Sequence, residues 1–278
     1  MAMQNKPDTA IERIGERVVI EYRDHVARVA LDRADKYNGL DLDMMHALVA
    51  AARRLRKRRE IRAVVLHGEG KAFCAGLDFA SVTAKPLQVL AGFLPWWRRG
   101  NLFQRMCLAW RDLPVPVIAV THGYCFGGGM QLALGCDFRF TTPGCRFSIM
   151  EIEWGLIPDM GASVTLRDLV PLDVAMELTM TARQFEAGEA LTLNLVSRID
   201  DDPLKAAFAF ADTLAARSPD AIVAAKRLLR DTRTGSERRA LRRERRLQLG
   251  LLIGVNQREA MRAKFEKRQP RFRNRRGR

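Results

Sequence analysis

Two short β-branched segments of this chain each run directly into a loop that contains glycine. Residues 63–67 are followed by the loop 68–79, and Val117–Thr121 is followed by the loop 123–129. A short helix is predicted immediately after the second loop, over residues 130–134. Uninterrupted apolar runs of this length are typical of strands buried on both faces of a parallel sheet. The pattern therefore predicts an α/β fold in which buried strands alternate with helices.

Other segments extend this core towards both ends of the chain. Residues 18–22 and Val26–Leu31 are predicted strands, joined as a hairpin by residues 23–25. Apolar residues recur at helical spacing in Leu42–Lys57 and Leu102–Arg111. From about residue 202 the chain consists almost entirely of strong helix formers. We therefore expect a core over residues 1–201 and a helical region over residues 202–278.

The chain is strongly basic, since 47 Lys and Arg against 32 Asp and Glu give a formal net charge of +15. A field of this sign attracts phosphorylated ligands, polyanions and anionic surfaces. The same excess also fits a solvated, arginine-rich surface with no ligand. Arginine-rich runs occur at residues 53–59, 238–246 and 268–278. The first two runs contain no aromatic residue and the third contains only Phe272. No nucleic-acid partner is therefore expected, and RNA binding stays as an alternative of another class.

Cysteine usage and hydropathy indicate the cellular setting. The five cysteines form no CxxC pair, so neither a disulfide framework nor a metal site is predicted. Reduced thiols fit a cytoplasmic location. The first 25 residues lack the apolar core of a secretion signal, and no apolar run reaches the roughly 18 residues of a membrane span. We expect a cytoplasmic protein without a membrane partner.

The glycine loops suggest a site for a developing negative charge. Residues 127–129 are all glycine and precede a predicted helix, whose first N–H groups have no intrahelical partner and carry partial positive charge. Alone, such a triplet is equally an ordinary strand-to-helix turn. The loop 71–78 also follows a buried strand and places Gly76 before the N–H of Leu77. Two such loops can direct two N–H groups at one oxygen, an arrangement that stabilises an oxyanion.

Four segments, in this order and spacing, resemble the crotonase superfamily, that is, the enoyl-CoA hydratase/isomerase family. They are residues 71–78, 123–133, 151–161 and 265–272, and the resemblance extends from about residue 18 to residue 272. It implies a spiral of β-β-α units followed by a C-terminal helical region that assembles homotrimers, which often pair into hexamers. It also implies a coenzyme A thioester as substrate and no permanently bound cofactor.

The resemblance also assigns binding residues. The carbonyl oxygen of the thioester is expected between the backbone N–H groups of Leu77 and Gly128, which would form an oxyanion hole. The adenine of coenzyme A is expected near the loop that contains Leu77, and its phosphates near a lysine that relatives often contribute across a subunit contact. The residues expected to bind coenzyme A are Ala75, Gly76, Asp78 and Lys267.

An oxyanion hole moves no proton, so a general acid or base is also required. Family hydratases use two glutamates, and the first of these positions is occupied here by Gln131, which cannot act as a base. The second position is Glu151. Asp159 stands where hydratases usually have glycine and where the dienoyl-CoA isomerases of the family have an aspartate. We therefore predict Glu151, Asp159 and Gln131 as the catalytic positions.

These residues leave several interpretations open. In one interpretation, Glu151 alone is the acid/base in hydration or double-bond migration. In another, Glu151 and Asp159 both transfer protons, and burial and mutual repulsion separate their pKa values. As simpler alternatives, Glu151 is a solvated loop acid and Asp159 caps a helix. Gln131 either hydrogen-bonds the substrate or a water, or marks the loss of hydratase activity. A non-catalytic homologue that binds acyl-CoA is the remaining alternative.

Side chains beside the loops carry two smaller predictions. Phe93, Trp96 and Trp97 fall in the segment that walls the acyl pocket in the family, where they shape the choice of acyl chain or simply pack together. His122 stands where the family usually has asparagine and is expected to support the loop by hydrogen bonding. Residues 81–100 as a whole are interpreted as a mobile loop or lid.

Overall fold

Strands alternate with helices up to residue 199, and helices follow one another after it. The structure, a computed structural model, describes residues 10–94 and 100–277. The strands are β1 (Ile11–Ile14), β2 (Val18–Arg23), β3 (Val26–Leu31), β4 (Ala63–Gly68), β5 (Val117–Thr121), β6 (Tyr124–Phe126), β7 (Phe138–Thr141), β8 (Arg146–Ser148), β9 (Phe185–Glu186) and β10 (Arg198–Ile199).

The α-helices are α1 (Leu42–Lys57), α2 (Phe79–Thr83), α3 (Pro86–Phe93), α4 (Leu102–Arg111), α5 (Gly128–Leu134), α6 (Ala162–Thr165), α7 (Leu172–Thr181), α8 (Ala187–Thr192), α9 (Pro203–Ala215), α10 (Pro219–Asp231), α11 (Glu237–Leu252) and α12 (Val255–Phe265). Short 3-10 helices occupy Ala34–Lys36, Glu151–Trp154 and Leu166–Asp168. Among the helices described, none combines the length and the apolar character needed to cross a bilayer.

The main sheet contains seven strands in the order β1-β2-β3-β4-β5-β7-β10. β1, β2 and β3 pair antiparallel, and every pairing from β3 onward is parallel. β4 and β5, the two segments that precede the glycine loops, are buried at every residue. Strands buried in this way require cover on both faces of the sheet. The α/β fold predicted from the sequence is confirmed.

Two hydrophobic clusters provide that cover. On one face, α1 and α4 pack with fully buried side chains such as Leu48 and Trp110. On the other face, α9 places Ala207 and Ala211 in one cluster with Val65 of β4. The helical region expected from residue 202 therefore begins with a helix that forms a layer of the core. The division of the chain at residue 202 stays a prediction.

Most predicted elements appear within a residue or two of their expected bounds. The strand expected over 18–22 ends at Arg23, and the helices α1 and α4 begin and end as predicted. The helix expected over 130–134 begins earlier, at Gly128. The prediction of a loop over residues 81–100 is wrong for its first part, because α2 and α3 form there.

A second, three-stranded sheet (β6-β8-β9) brings the glycine triplet to the start of the Glu151 segment. β6 and β8 pair in parallel, with Phe126 opposite Ser148. The N–H of Gly127 then donates to the Ser148 carbonyl (2.9 Å). Glu151 follows β8 by only a few residues, so this pairing places its 3-10 helix beside the triplet.

The segment after α12 returns to the end of α1. The buried Arg275 side chain donates from Nη2 to the carbonyl oxygens of Arg56 (2.8 Å) and Arg58 (3.0 Å). Its backbone N–H donates to the Arg59 carbonyl (3.3 Å). The last carbonyls of a helix have no intrahelical partner, and a cation there is favoured by the helix dipole. Arg275 therefore caps α1 from the far end of the chain.

Replacing Arg275 by alanine is expected to lower the free energy of unfolding by on the order of 1–3 kcal/mol, because two carbonyl groups lose a charged donor. Equilibrium unfolding in urea measures the change. Arg242→Ala, which removes an exposed arginine from α11, is the matched control and should change stability by less than about 0.5 kcal/mol. Equal stabilities for R275A and the unsubstituted protein would contradict the capping role.

Candidate active site

The two glycine loops lie side by side and are joined through their backbones. Cys74 of the first loop and Cys125 of β6 form an isolated parallel bridge. The Cys74 N–H donates to the Tyr124 carbonyl (3.0 Å), and the Phe126 N–H donates to the Cys74 carbonyl (3.0 Å). These bonds fix the register of the two loops relative to each other. The residues that follow Cys74 and Phe126 are therefore held as neighbours.

Gly76 packs directly on the second loop. Its φ is +95°, and a Cβ added to it would lie 3.0 Å from the Phe126 carbonyl oxygen and 3.8 Å from the Gly127 Cα. Only glycine combines this backbone conformation with so close an approach. The contact places the next peptide groups, those of Leu77 and Gly128, on adjoining stretches of backbone.

The backbone N–H groups of Leu77 and Gly128 are the two groups predicted to form the oxyanion hole. Within residues 10–94 and 100–277, neither donates a hydrogen bond to a protein acceptor. Gly128 is the first residue of α5, where N–H groups lack an intrahelical partner and carry partial positive charge. A Cβ on Gly128 would lie 2.7 Å from Leu40 Cδ1, so the position has no room for a side chain. Joint binding of one substrate oxygen by both groups stays a prediction.

Glu151 lies against the same glycine loop. Its Oε1 accepts a hydrogen bond from Gln131 Nε2 (2.7 Å), and it would be 3.4 Å from a Cβ added to Gly127. Its Oε2 is shielded from solvent and has no hydrogen-bond partner in the described part of the chain. A buried carboxylate oxygen without a partner is costly. The interpretation of Glu151 as a solvated loop acid is therefore wrong.

Gln131 is fully buried behind Glu151, and both ends of its amide are engaged by the protein. Nε2 donates to Glu151, while Oε1 accepts from the backbone N–H groups of Met160 (2.8 Å) and Ala162 (3.2 Å). These protein groups hold the Gln131 side chain in place, and a hydrogen bond from its second amide N–H to a substrate or a water stays a prediction. Gln131 links Glu151 to the turn that contains Asp159.

Asp159 lies half-buried in that turn, directly before Met160. The interpretation of Asp159 as a helix cap is wrong, because Gly161 is the N-cap of α6. Burial raises the pKa of Asp159 above its ordinary value. Burial also raises the pKa of Glu151, and the nearby charge of Asp159 raises it further, against the Gln131 hydrogen bond that lowers it. The two acids thus share one electrostatic environment.

The residues predicted to bind coenzyme A have different surroundings. Ala75 and Gly76 are backbone positions of the first loop, with the Ala75 N–H donating to the Tyr37 carbonyl (3.0 Å). The Asp78 carboxylate caps α2 through Ser81 and pairs with Arg33 (2.7 Å), and the Ser81 hydrogen bond first and Arg33 next lower its pKa to about 2. Asp78 therefore holds the loop in shape.

Lys267, the fourth position predicted to bind coenzyme A, is exposed beyond the end of α12. In the part of the chain that the structure describes, no hydrogen bond or ion pair joins it to the Ala75 loop. Its backbone N–H donates to the Lys264 carbonyl (3.3 Å). A role at the phosphates of coenzyme A stays a prediction.

Aromatic side chains connect the Glu151 segment with the Asp78 segment. Trp154, at the end of the 3-10 helix that begins at Glu151, stacks on Phe79 with ring centroids 4.0 Å apart. This pair was not predicted, although the 151–161 motif contains the tryptophan. Phe93 packs on Phe103 (centroids 4.7 Å apart). The other two residues of the predicted aromatic wall, 96 and 97, lie outside the described residues.

The thiols and the histidine beside the loops have structural roles. Burial raises the pKa of the Cys74 thiol to about 12 and the pKa of Cys125 well above its usual range, so neither forms a reactive thiolate at neutral pH. Nε2 of His122 lies 3.0 Å from the Gly70 carbonyl oxygen, which confirms its predicted support of the loop. Among the described residues, no cluster of three or more His, Cys, Asp or Glu side chains is arranged to hold a metal ion.

Comparison with known proteins places this site in a family. A family model described as enoyl-CoA hydratase/isomerase matches residues 21–275. The enoyl-CoA hydratase EchA19 of Mycobacterium tuberculosis is 30% identical over 272 residues, which cover 94% of this chain and 98% of the relative. The mitochondrial Delta(3,5)-Delta(2,4)-dienoyl-CoA isomerase of Mus musculus is 35% identical over 211 residues, which cover 73% of this chain and 64% of the relative.

Solved structures give the same result for the fold. The chain superimposes on the crystal structure of an enoyl-CoA hydratase from Bacillus anthracis with a TM-score of 0.84, at 27% identity, covering 92% of this chain and 98% of the other. An enoyl-CoA hydratase from Polaromonas sp. JS666 gives a TM-score of 0.83 at 28% identity, covering 92% and 100%. The resemblance noted in the sequence is confirmed, and the chain belongs to the enoyl-CoA hydratase/isomerase family.

Proposed function

We propose that this protein moves a carbon–carbon double bond within an enoyl- or dienoyl-coenzyme A thioester through an enolate. The proposal rests on the hydrogen bonding of the residues at the two positions where family hydratases have glutamate. Glu151 keeps one unbonded, buried carboxylate oxygen beside the glycine loop, whereas Gln131 is an amide occupied at both ends. Asp159 supplies a second carboxyl group in the same environment.

In the proposed reaction, Glu151 Oε2 removes a proton from one carbon of the acyl chain. The electron pair moves onto the thioester oxygen, which the N–H groups of Leu77 and Gly128 stabilise. Each such donor contributes about 2.7–4 kcal/mol to the transition state. Asp159 is proposed to deliver a proton to a second carbon as the enolate collapses. One proton leaves and one enters, so substrate and product have equal mass.

The proposed substrate brings its own coenzyme, so no resident cofactor is required. Coenzyme A carries several phosphate charges, which suit a protein of net charge +15. The backbone of Ala75 and Gly76 and the side chain of Lys267 are proposed to contact it. Assembly into a homotrimer or a hexamer is proposed from the family resemblance, and a cytoplasmic location is proposed from the five cysteines, which form no CxxC pair.

Hydration of an enoyl-CoA is the second candidate, because the Mycobacterium tuberculosis relative is named a hydratase. Hydration requires one group to activate water and another to protonate the neighbouring carbon. Gln131 can do neither with an amide that is already bonded to Glu151 and to Met160. Glu151 would have to perform both tasks, with Asp159 as the only nearby helper.

An assay of the purified protein with a panel of enoyl- and dienoyl-CoA thioesters separates the two reactions. Isomerisation changes the ultraviolet absorbance at constant mass, whereas hydration adds the mass of one water. We expect isomerisation to be the faster reaction. Hydration at a higher kcat/KM than any isomerisation would overturn the proposal.

Glu151→Gln is expected to lower kcat by at least about 100-fold, because general acid–base groups contribute roughly 10²–10⁴-fold. Gln131→Ala should lower it by only about tenfold, since Glu151 loses an orienting hydrogen bond but keeps its carboxylate. Steady-state kinetics on the best thioester measure both changes. Glu153→Gln, which alters an exposed acid in the same 3-10 helix, is the control and should leave kcat unchanged. Equal losses in E151Q and Q131A would contradict the assigned roles.

The pH profile provides an independent prediction. Glu151 must be ionised to accept a proton, and its pKa is raised by burial and then by Asp159. Activity should therefore fall with decreasing pH at a pH above the ordinary glutamate pKa of about 4.3. Asp159→Asn removes one of the charges that raise this pKa, so the acid limb of kcat/KM should move to lower pH in the residual activity. An unchanged acid limb in D159N would show that the two acids are not coupled.

A further inference from the structure

A pocket of about 230 Å³, lined by four arginines, lies away from the glycine loops. It forms where α4, α5, α6 and α10 approach their C-terminal ends. Gly135, the residue after α5, lines it, whereas Gly128 begins α5 at the proposed oxyanion hole. Because α5 has seven residues, about 10 Å of helix separates the pocket from that site. The arginines are Arg111, Arg139, Arg230 and Arg233.

Two of these arginines share one acid. Arg111 Nη2 pairs with Asp168 Oδ2 (2.8 Å). Arg233 Nε approaches Asp168 Oδ1 (3.7 Å), and its Nη2 donates to the Asp168 carbonyl (2.5 Å). The pocket's other acid is Asp137. Its Oδ2 forms an ion pair with Nζ of Lys226 (2.5 Å), a residue that does not line the pocket. Both carboxylates that line the pocket are therefore already paired with cationic side chains.

The remaining two arginines have no carboxylate partner in the described part of the chain. Arg139 is buried, with 5% of its surface exposed, and donates from Nε to the Leu195 carbonyl (2.6 Å) and from Nη1 to the Cys136 carbonyl (2.8 Å). The half-buried Arg230 makes neither a hydrogen bond nor an ion pair with any described residue. A guanidinium presents five N–H donors, so Arg230 offers a full set of free donors to the pocket.

The charge balance around Arg230 favours an anion. Arg111 and Arg230 lie at the ends of α4 and α10, where helix dipoles stabilise cations. Burial first and the charge of Arg111 next lower the pKa of Arg230, and the charges of Asp137, Asp112 and Asp168 act in the opposite direction without reversing the shift. Four guanidinium groups face two carboxylates in the pocket, and several such groups together recognise phosphate or carboxylate oxygens.

We propose that this arginine pocket is a binding site for a phosphate group, held by Arg230 with Arg111 and Arg233 at its rim. A phosphate carries close to two negative charges at neutral pH, which matches the excess of two cations over carboxylates in the lining. The group comes either as free phosphate or as part of a phosphorylated metabolite. The site is separate from that of the acyl-CoA substrate and does not depend on the proposed reaction.

Isothermal titration of the purified protein with inorganic phosphate, in a phosphate-free buffer at constant ionic strength, tests the site. We expect saturable binding that Arg230→Gln weakens at least about tenfold, since it removes charge-assisted hydrogen bonds. The Arg230→Lys variant, which keeps the positive charge but lacks the planar guanidinium group, should bind phosphate with intermediate affinity. Arg238→Gln removes an exposed arginine from α11 and is the matched control, with unchanged affinity.

Two further measurements test whether the variant is folded and whether phosphate binds at the coenzyme site instead. Thermal unfolding by circular dichroism checks that R230Q is folded, and the same titration is repeated with the protein saturated by acetyl-CoA. Unchanged phosphate affinity in acetyl-CoA supports a separate site, whereas loss of binding would show that phosphate occupies the coenzyme site and would overturn the proposal. Absence of saturable binding to the unsubstituted protein, or equal weakening by R230Q and R238Q, would also overturn it. Tighter binding of a phosphate monoester such as glycerol phosphate would identify a metabolite as the source.

Discussion

The proposed site depends on the backbone pairing of two loops that are distant in sequence. Hydrogen bonds between Cys74 and its partners Tyr124 and Phe126 set the register. Gly76 then allows an approach that any side chain would prevent. Because peptide groups in a paired, tightly packed backbone have few ways to move, the N–H groups that follow are held in place before a ligand arrives. Such preorganisation is what makes fixed dipoles effective in catalysis.

The burial of the Glu151 carboxylate lowers the stability of the native state. One oxygen of Glu151 is bonded by Gln131, but the other is buried with no partner. Leaving a buried polar group without a partner costs roughly 1–3 kcal/mol, and more if the group is charged. The stability of the fold does not account for such an oxygen, which supports the proposal that Glu151 takes part in the chemistry. The amide at position 131 serves both demands, because it orients the carboxylate without adding a second negative charge.

The local sequence pattern was enough to predict the helices and strands, but not the contacts between segments that are distant in sequence. The β-branched runs and the apolar spacing of α1 are encoded within a few residues, and glycine-rich turns mark where strands end. The hydrogen bond between Gln131 and Glu151 joins residues of different elements, so no spacing rule reveals it. Likewise, the helical composition after residue 202 did not reveal that α9 packs on the sheet. Its alanines are equally compatible with a free helix.

The cap on α1 has a consequence for how the chain is made. Arg275 and the carbonyl of Arg56 are separated by 219 positions in the sequence. During synthesis on the ribosome, α1 and its strand neighbours emerge long before the arginine that completes them. The nascent core must therefore persist with an open helix end until residue 275 has been synthesised. Full resistance to proteolysis would then be acquired only once this arginine has emerged and closed the helix end, rather than when α1 and its strand neighbours first fold.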